Sequence, residues 1–236
     1  MAGSKLPARS SRSEIDGFID SVNRNPNVRP AGRGGRLIFA MDATASRQPT
    51  WDQASSIQAR MFEETASLGG LSVQLVYYRG YSECRASRWH RDKDGLLGAL
   101  GAVSCVGGYT QIGRVLKHAV AEARRQRVDA LVFVGDCVEE DADALCDRAG
   151  ELGLLGVPAF LFHEGDDQSA RGVFEQIARL TGGACCRFDS GSPNELRDLL
   201  SAVAVYASGG RHALEDFSRQ RAGITKHLVR QIEHKS

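Results

Sequence analysis

No apolar run in this chain of 236 residues reaches the roughly 20 residues that cross a bilayer as a helix. The longest, from Leu152 to Phe162, is broken by Gly156 and Pro158, so no membrane span is expected. Charge of one sign is lacking too: 30 Lys and Arg stand against 29 Asp and Glu, a net charge of +1, which removes the strongly basic surface expected of a nucleic-acid binder. The six cysteines show no C-x-x-C spacing, so zinc is not expected and most read as small buried hydrophobes. The N-terminal stretch MAGSKLPARSSRSEIDGF has no apolar secretion-signal core, which points to the cytosol, where thiols stay reduced. No Ser or Cys sits in a G-x-S-x-G-type elbow and the six histidines are scattered, leaving a hydrolytic triad without support.

What is present is an ordinary globular composition, 42% hydrophobic and 25% charged, enough for one large single-core domain with tails. Residues 1–35 are rich in Arg, Ser, Pro, Gly and Asn and read as a flexible basic arm. Residues 36–207 read as the domain. Residues 208–236 form a basic tail with Leu214, Phe217, Ile224, Leu228 and Ile232 near helical spacing. That amphipathic segment either docks onto a partner or packs on its own domain.

Within the domain, strand and helix patterns alternate. RLIFAM (Arg36 to Met41) is a continuous apolar run of the kind buried on both faces. After a polar loop, Thr50-Trp51-Asp52-Gln53 has capping-box form, and Trp51, Ala54, Ile57, Met61, Phe62 and Thr65 follow at helical spacing. LSVQLVYY (Leu71 to Tyr78) is the next strand, and Glu83 to Trp89 an edge strand paired to it by a short turn. Asp94 to Ala102 reads as a short helix. A glycine-rich stretch then leads into a one-faced helix with Ile112, Val115, Leu116, Ala119, Val120 and Ala123 on its apolar side. The strand DALVFVGD, a helix over Glu139 to Leu152, the strand VPAFLFH, a helix over Ser169 to Leu180, the strand ACCRF and a helix over Pro193 to Tyr206 complete the series. The pattern predicts a doubly wound α/β fold with a mostly parallel sheet and one antiparallel edge strand.

Ligands of such sheets bind beyond the carboxyl ends of the strands, where strand order reverses. In the common order the first and fourth strands are neighbours there, so Asp42 and Asp136, which end them, are expected to meet. Asp42, Thr44 and Ser46 place an oxygen side chain at every second position, and Thr110 adds a hydroxyl from the loop Gly107-Gly108-Tyr109-Thr110-Gln111-Ile112-Gly113. Hard divalent cations take about six oxygens, and Mg²⁺ keeps several waters while using few charged ligands. The set therefore fits Mg²⁺ or Mn²⁺. Two carboxylates only balance the ion's charge, leaving an open position electrophilic and suited to an acidic side chain from a partner.

Asp42-x-Thr44-x-Ser46 after the first strand, Thr110 in GGYTQIG and Asp136 in VFVGD together resemble the metal-ion-dependent adhesion site of von Willebrand factor type A domains. The resemblance covers about Arg36 to Tyr206. It implies a Rossmann-like fold, direct metal ligation by Thr44 and Ser46, largely water-mediated ligation by Asp42 and Asp136, and a Thr110 whose engagement changes when a ligand carboxylate arrives. Such domains are generally binding modules without enzymatic activity, and cytosolic bacterial ones are often similar to partners of ATPase or chaperone machines. Two positions depart from the family: Thr44, where Ser is more usual, and Cys137, where Gly often follows the last Asp.

Other readings compete. Thr110 is a natural N-cap for a helix beginning at Gln111 or Ile112, and Glu139-Glu140-Asp141 suit the start of the helix that follows them. Gly107-Gly108 matches no phosphate-loop motif. A phosphohydrolase of the haloacid-dehalogenase type also begins with an Asp after its first strand, but its second Asp, the general acid, is replaced here by Thr44. A metal-free scaffold of the same fold is the remaining alternative.

Overall fold

β1 (Gly35–Asp42) is buried along nearly its whole length, because it lies between two other strands and beneath helices on both faces. The structure, a computed structural model, describes residues 34–44, 61–65, 69–188 and 193–233. The basic arm up to residue 33, the capping box at Thr50 and the candidate ligand Ser46 lie outside those residues. The other strands are β2 (Leu71–Arg79), β3 (Glu83–His90), β4 (Ala130–Gly135), β5 (Ala159–Glu164) and β6 (Ala184–Phe188). They form one six-stranded sheet in the order β3-β2-β1-β4-β5-β6. Every neighbouring pair is parallel except β2 and β3, which are antiparallel. Strand order reverses between β1 and β4, as the sequence pattern anticipates.

The helices are α1 (Lys93–Gly101), α2 (Ile112–Arg125), α3 (Ala142–Leu154), α4 (Gln168–Thr181) and α5 (Pro193–Glu233), besides a helical stretch at 61–65. Alternation along β1 divides them between two layers. Leu37, Phe39 and Met41 pack with Leu96 and Leu100 of α1 and with Leu199, Val203 and Tyr206 of α5. Ile38 and Ala40 pack with Ile112, Val115 and Leu116 of α2, Leu145 of α3 and Phe174 of α4. Truncating a side chain as central as Phe39 costs about 3–5 kcal/mol in such a core.

One cap and one helix start differ from the sequence reading. α2 begins at Ile112, one of the two expected starts, but with Gln111 at its N-cap, so Thr110 lies one residue outside the cap. α3 begins at Ala142 rather than Glu139, because the Asp141 carboxylate takes the Ala144 N–H and fixes the helix start there. The helical span from Pro193 to Glu233 is divided at Gly210, whose φ is 69°, at the Gly209-Gly210 break that the sequence pattern also marks. Beyond that break Leu214 is fully buried in the core shared with β1, and Phe217 packs against it. Ser208 also reaches the sheet, its hydroxyl donating to the Gly70 carbonyl at 3.1 Å.

Candidate functional site

Asp42 is the last residue of β1 and is only 1% exposed. Its Oδ1 accepts the backbone N–H of Thr44 at 2.7 Å, a local turn that bends the chain as it leaves the strand. The N–H of Ala43 donates to the Tyr78 carbonyl at 2.9 Å, and the Ala43 carbonyl accepts from Val106 at 3.0 Å. This first loop is thus held against β2 on one side and the glycine-rich loop on the other.

Met41 is in register with Val134 across the β1–β4 pair, so Asp136 leaves the sheet one residue beyond the level of Asp42. Both carboxylates act on the thiol of Cys137, which is pushed up to about 12 by burial first, then by Asp136, with Asp42 and Glu139 adding to it. Burial, followed by the charge of Asp42 and, more weakly, Glu140, holds the Tyr78 phenol well above its usual range. Burial does most of this, and the charges of Asp42 and Asp136 add to it at this end of the sheet.

Thr110, buried on the glycine-rich loop, is tied to the loop that follows β4. Its N–H donates to Glu139 Oε2 at 2.9 Å, and the N–H of Glu139 donates back to Thr110 Oγ1 at 3.0 Å. Glu140 extends the tie: its carboxylate accepts from the N–H groups of Ile112 and, at 3.0 Å, of Gly113. The first amides of α2 are therefore satisfied by acids from the neighbouring loop, where Gln111 supplies no cap of its own. Glu140 serves α2, Glu139 holds Thr110 just ahead of it, and of the acidic triplet only Asp141 serves α3. The residue spacing that suggests helix-start acids does not say which helix they start.

The glycine-rich loop also needs its glycines. A Cβ on Gly108 would lie 2.0 Å from the Gly80 carbonyl oxygen, so only glycine permits the loop to rest on the β2–β3 turn. Tyr109 N–H donates to that same oxygen at 3.2 Å, and the Gln111 amide bonds the carbonyls of Arg79 and Gly80. On the outer side, Tyr81 and Tyr109 are 76% and 58% exposed and meet edge to face, ring centres 5.3 Å apart. An exposed aromatic pair beside Thr110 is a feature that composition alone did not single out.

Of the sequence-derived set, then, Asp42, Thr44, Thr110 and Asp136 are carried by loops that touch at the carboxyl ends of β1 and β4, while Ser46 lies outside the described residues. Among the described residues no group of three or more His, Cys, Asp or Glu side chains gathers for a metal; the site has two carboxylates and otherwise hydroxyls. Those donors are all hard oxygens, and two of them are carboxylates, whose charge a cation would balance. The residues fit a hard divalent ion, and do not suit a thiophilic one. No helix of the described residues is long and apolar enough to cross a membrane.

No model of a known protein family matches the chain, and no curated protein matches it in sequence. Solved structures do match it in fold. A von Willebrand factor type A protein from Catenulispora acidiphila superposes with a TM-score of 0.61 at 15% identity, covering 73% of this chain and 43% of that one. The SpRpn10 VWA domain gives 0.54 at 16% identity over 70% of this chain and 93% of the domain. Proximal thread matrix protein 1 from the mussel byssus, with a zinc-occupied metal-ion-dependent adhesion site, gives 0.57 at 15% identity over 74% of this chain and 46% of that protein. The chain thus spans less than half the length of two of these three neighbours. Sheet order, the single antiparallel edge and these superpositions agree: the chain has the von Willebrand factor type A fold.

Proposed function

We propose that this chain is a metal-dependent protein-interaction module without enzymatic activity, which binds an acidic segment of a partner protein through a Mg²⁺ or Mn²⁺ ion. Asp42, Thr44, Ser46, Thr110 and Asp136 would hold the ion, with Ser46 included on its sequence spacing alone. The observation that carries the reading is the convergence of the Asp42, Thr110 and Asp136 loops at the β1–β4 reversal, which brings two carboxylates and a hydroxyl to one end of the sheet. A bound divalent ion would supply an electrophilic position for a carboxylate. A neighbour of the same fold with a zinc-occupied site supports a divalent ion at this end of the sheet.

The protein's own residues set the terms of that binding. Asp42 fixes the turn that carries Thr44. Glu139 holds the Thr110 hydroxyl as an acceptor, and so aligns it. Tyr81 and Tyr109 present rigid, half-apolar surface next to the site, the side-chain type that dominates binding energy at protein interfaces. The partner belongs to an ATPase or chaperone machine, a reading that follows from the resemblance of the motif set. Catalysis is not part of the proposal, because Thr44 stands where a phosphohydrolase of similar layout needs its acid.

The direct test is a Mn²⁺ titration read by loss of the free-ion electron paramagnetic resonance signal, on the wild type and on Asp136→Ala. The reading expects a single bound ion per chain and at least a roughly tenfold weaker affinity in the variant. Wild-type protein that takes up no Mn²⁺ would refute it.

A further inference from the structure

At the end of the sheet opposite Asp42, the starts of β1 and β2 border a cavity of about 470 Å³ lined by Gly34, Gly69, Gly70, Ser72, Arg36 and Arg91, among others. Arg36 belongs to β1, and its guanidinium lies over the Trp89 ring with 3.9 Å from carbon to ring centroid. Its Nε and Nη2 are shielded from solvent and have no hydrogen-bond partner.

The nearby acids are engaged with other groups. Glu122 accepts from Trp89 Nε1 at 3.2 Å and from the Gln126 amide at 2.8 Å. Asp129 takes the Arg127 side chain and the backbone N–H, rather than the guanidinium, of Arg36. Burial lowers the Arg36 guanidinium below its ordinary value; Glu122 opposes that and Arg91 adds to it. Two like charges thus meet at one cavity, an arrangement that a bound anion would relieve.

The geometry favours a particular anion. A guanidinium laid on an indole is a planar fork whose orientation is already fixed, with cation–π attraction holding the stack. Trp89 in turn is pinned by its bond to Glu122. Such a fork matches paired oxygens of a phosphate-type group better than a spherical ion such as chloride. Gly34, Gly69 and Gly70 add no side chains to the lining, which leaves room in the cavity for a group of phosphate size. Arg91 is exposed and free to close over a bound group from the solvent side.

We propose that this cavity is a second, metal-independent site that binds a phosphate-type oxyanion between Arg36 and Arg91, either as free phosphate or as the phosphoryl group of a larger ligand. It stands apart from the proposed metal site, at the other end of the strands, and does not depend on it.

Trp89 reports on the site. In a Trp51→Phe background it is the sole tryptophan, and its emission is followed while inorganic phosphate, or a simple phosphate monoester, is added at constant ionic strength with EDTA present. The expected result is a saturable change with half-saturation near or below about 1 mM, weakened at least roughly tenfold by Arg91→Gln and not reproduced by chloride. Similar affinity for both probes assigns recognition to the phosphoryl group alone, and tighter binding of the monoester assigns a larger ligand; either supports the site. Because Arg91 is exposed, its variant should keep the wild-type melting midpoint without phosphate, and a phosphate-induced rise in midpoint should be lost with it. No saturable response up to about 10 mM, or an equal one in Arg91→Gln, would overturn the proposal.

Discussion

Thr110 and Glu139 hold one another by two hydrogen bonds, N–H of Thr110 to the Glu139 carboxylate at 2.9 Å and N–H of Glu139 to the Thr110 hydroxyl at 3.0 Å. The pair joins loops that are 29 residues apart in sequence. It makes the position of one candidate ligand, Thr110, depend on the loop that carries another, Asp136. A metal site assembled from separate loops needs such a tie, since each loop alone would lose too much conformational entropy in holding its ligand.

Glu140→Ala tests the same junction from the side of α2. The change leaves the amides of Ile112 and Gly113 without their acceptor, a loss comparable to deleting a helix cap, about 1–2 kcal/mol. For a chain of this size that lowers the melting midpoint by about 2–8 °C. Glu140→Gln should recover part of the loss, because an amide oxygen still accepts. An unchanged midpoint in Glu140→Ala would contradict the assignment of Glu140 to α2.

Gly108→Ala is expected to destabilise through sterics alone. Its Cβ would meet the Gly80 oxygen at 2.0 Å, and both partners are backbone, so the loop must move off the β2–β3 turn. The cost should fall in the range of overpacking substitutions, about 1–3 kcal/mol, read by urea unfolding. Gly107→Ala next to it meets nothing within 4 Å and should cost well under half as much. Equal effects at the two positions would show that the close approach is not the cause.

Acid should weaken the fold before any carboxylate is protonated. The imidazole of His118 bonds the Gln74 side-chain oxygen at 2.9 Å, and burial lowers its affinity for a proton, with Glu122 opposing. Arg114 and Lys117 of the same helix and Arg85 and Cys84 of β3 share its surroundings. Burial likewise lowers His90, with Arg88 adding and Asp92 opposing. A histidine whose folded value lies below its unfolded one makes no difference above about pH 6.5, where both states are neutral. Below that pH the unfolded chain binds the extra proton, so stability falls toward the lower, folded value. The melting midpoint should therefore drop between pH 7 and pH 5.5, and His118→Gln, which keeps a donor for Gln74, should flatten that drop. A midpoint that rises on acidification over this range would reverse the sign and refute the reading.

The sheet was legible because its central strands are continuous apolar runs between turn residues. Burial on both faces demands such runs, and nothing else in a chain of this composition produces them. The edge was legible from Glu83, Arg85 and Arg88, three charges in one short strand. The expected meeting of the β1 and β4 ends follows from topology, and the strand order bears it out. What could not be read was direction across loops. Glu139 and Glu140 carry the composition of a helix start, yet Glu140 caps the preceding helix and Glu139 holds Thr110 just before it, because the choice is made by the packing of α2 against the β4 loop and not by spacing along the chain. Thr110 shows the converse: its type suits an N-cap, but Gln111 occupies that position and the Thr110 hydroxyl turns to Glu139. The fate of Leu214 and Phe217 was likewise open, since helical spacing of apolar residues looks the same whether they face a partner or their own core.

The central claim is that Asp42 and its neighbouring loops hold a divalent cation, and thermal unfolding tests it most directly. The wild type and Asp42→Ala are melted in EDTA and in saturating Mg²⁺ at matched ionic strength. A ligand at a hundred times its dissociation constant adds about 2.7 kcal/mol, which for a domain of this size corresponds to about 5–10 °C. The account predicts a rise of that order in the wild type and none in Asp42→Ala. No rise in the wild type, or the same rise in both proteins, would contradict it.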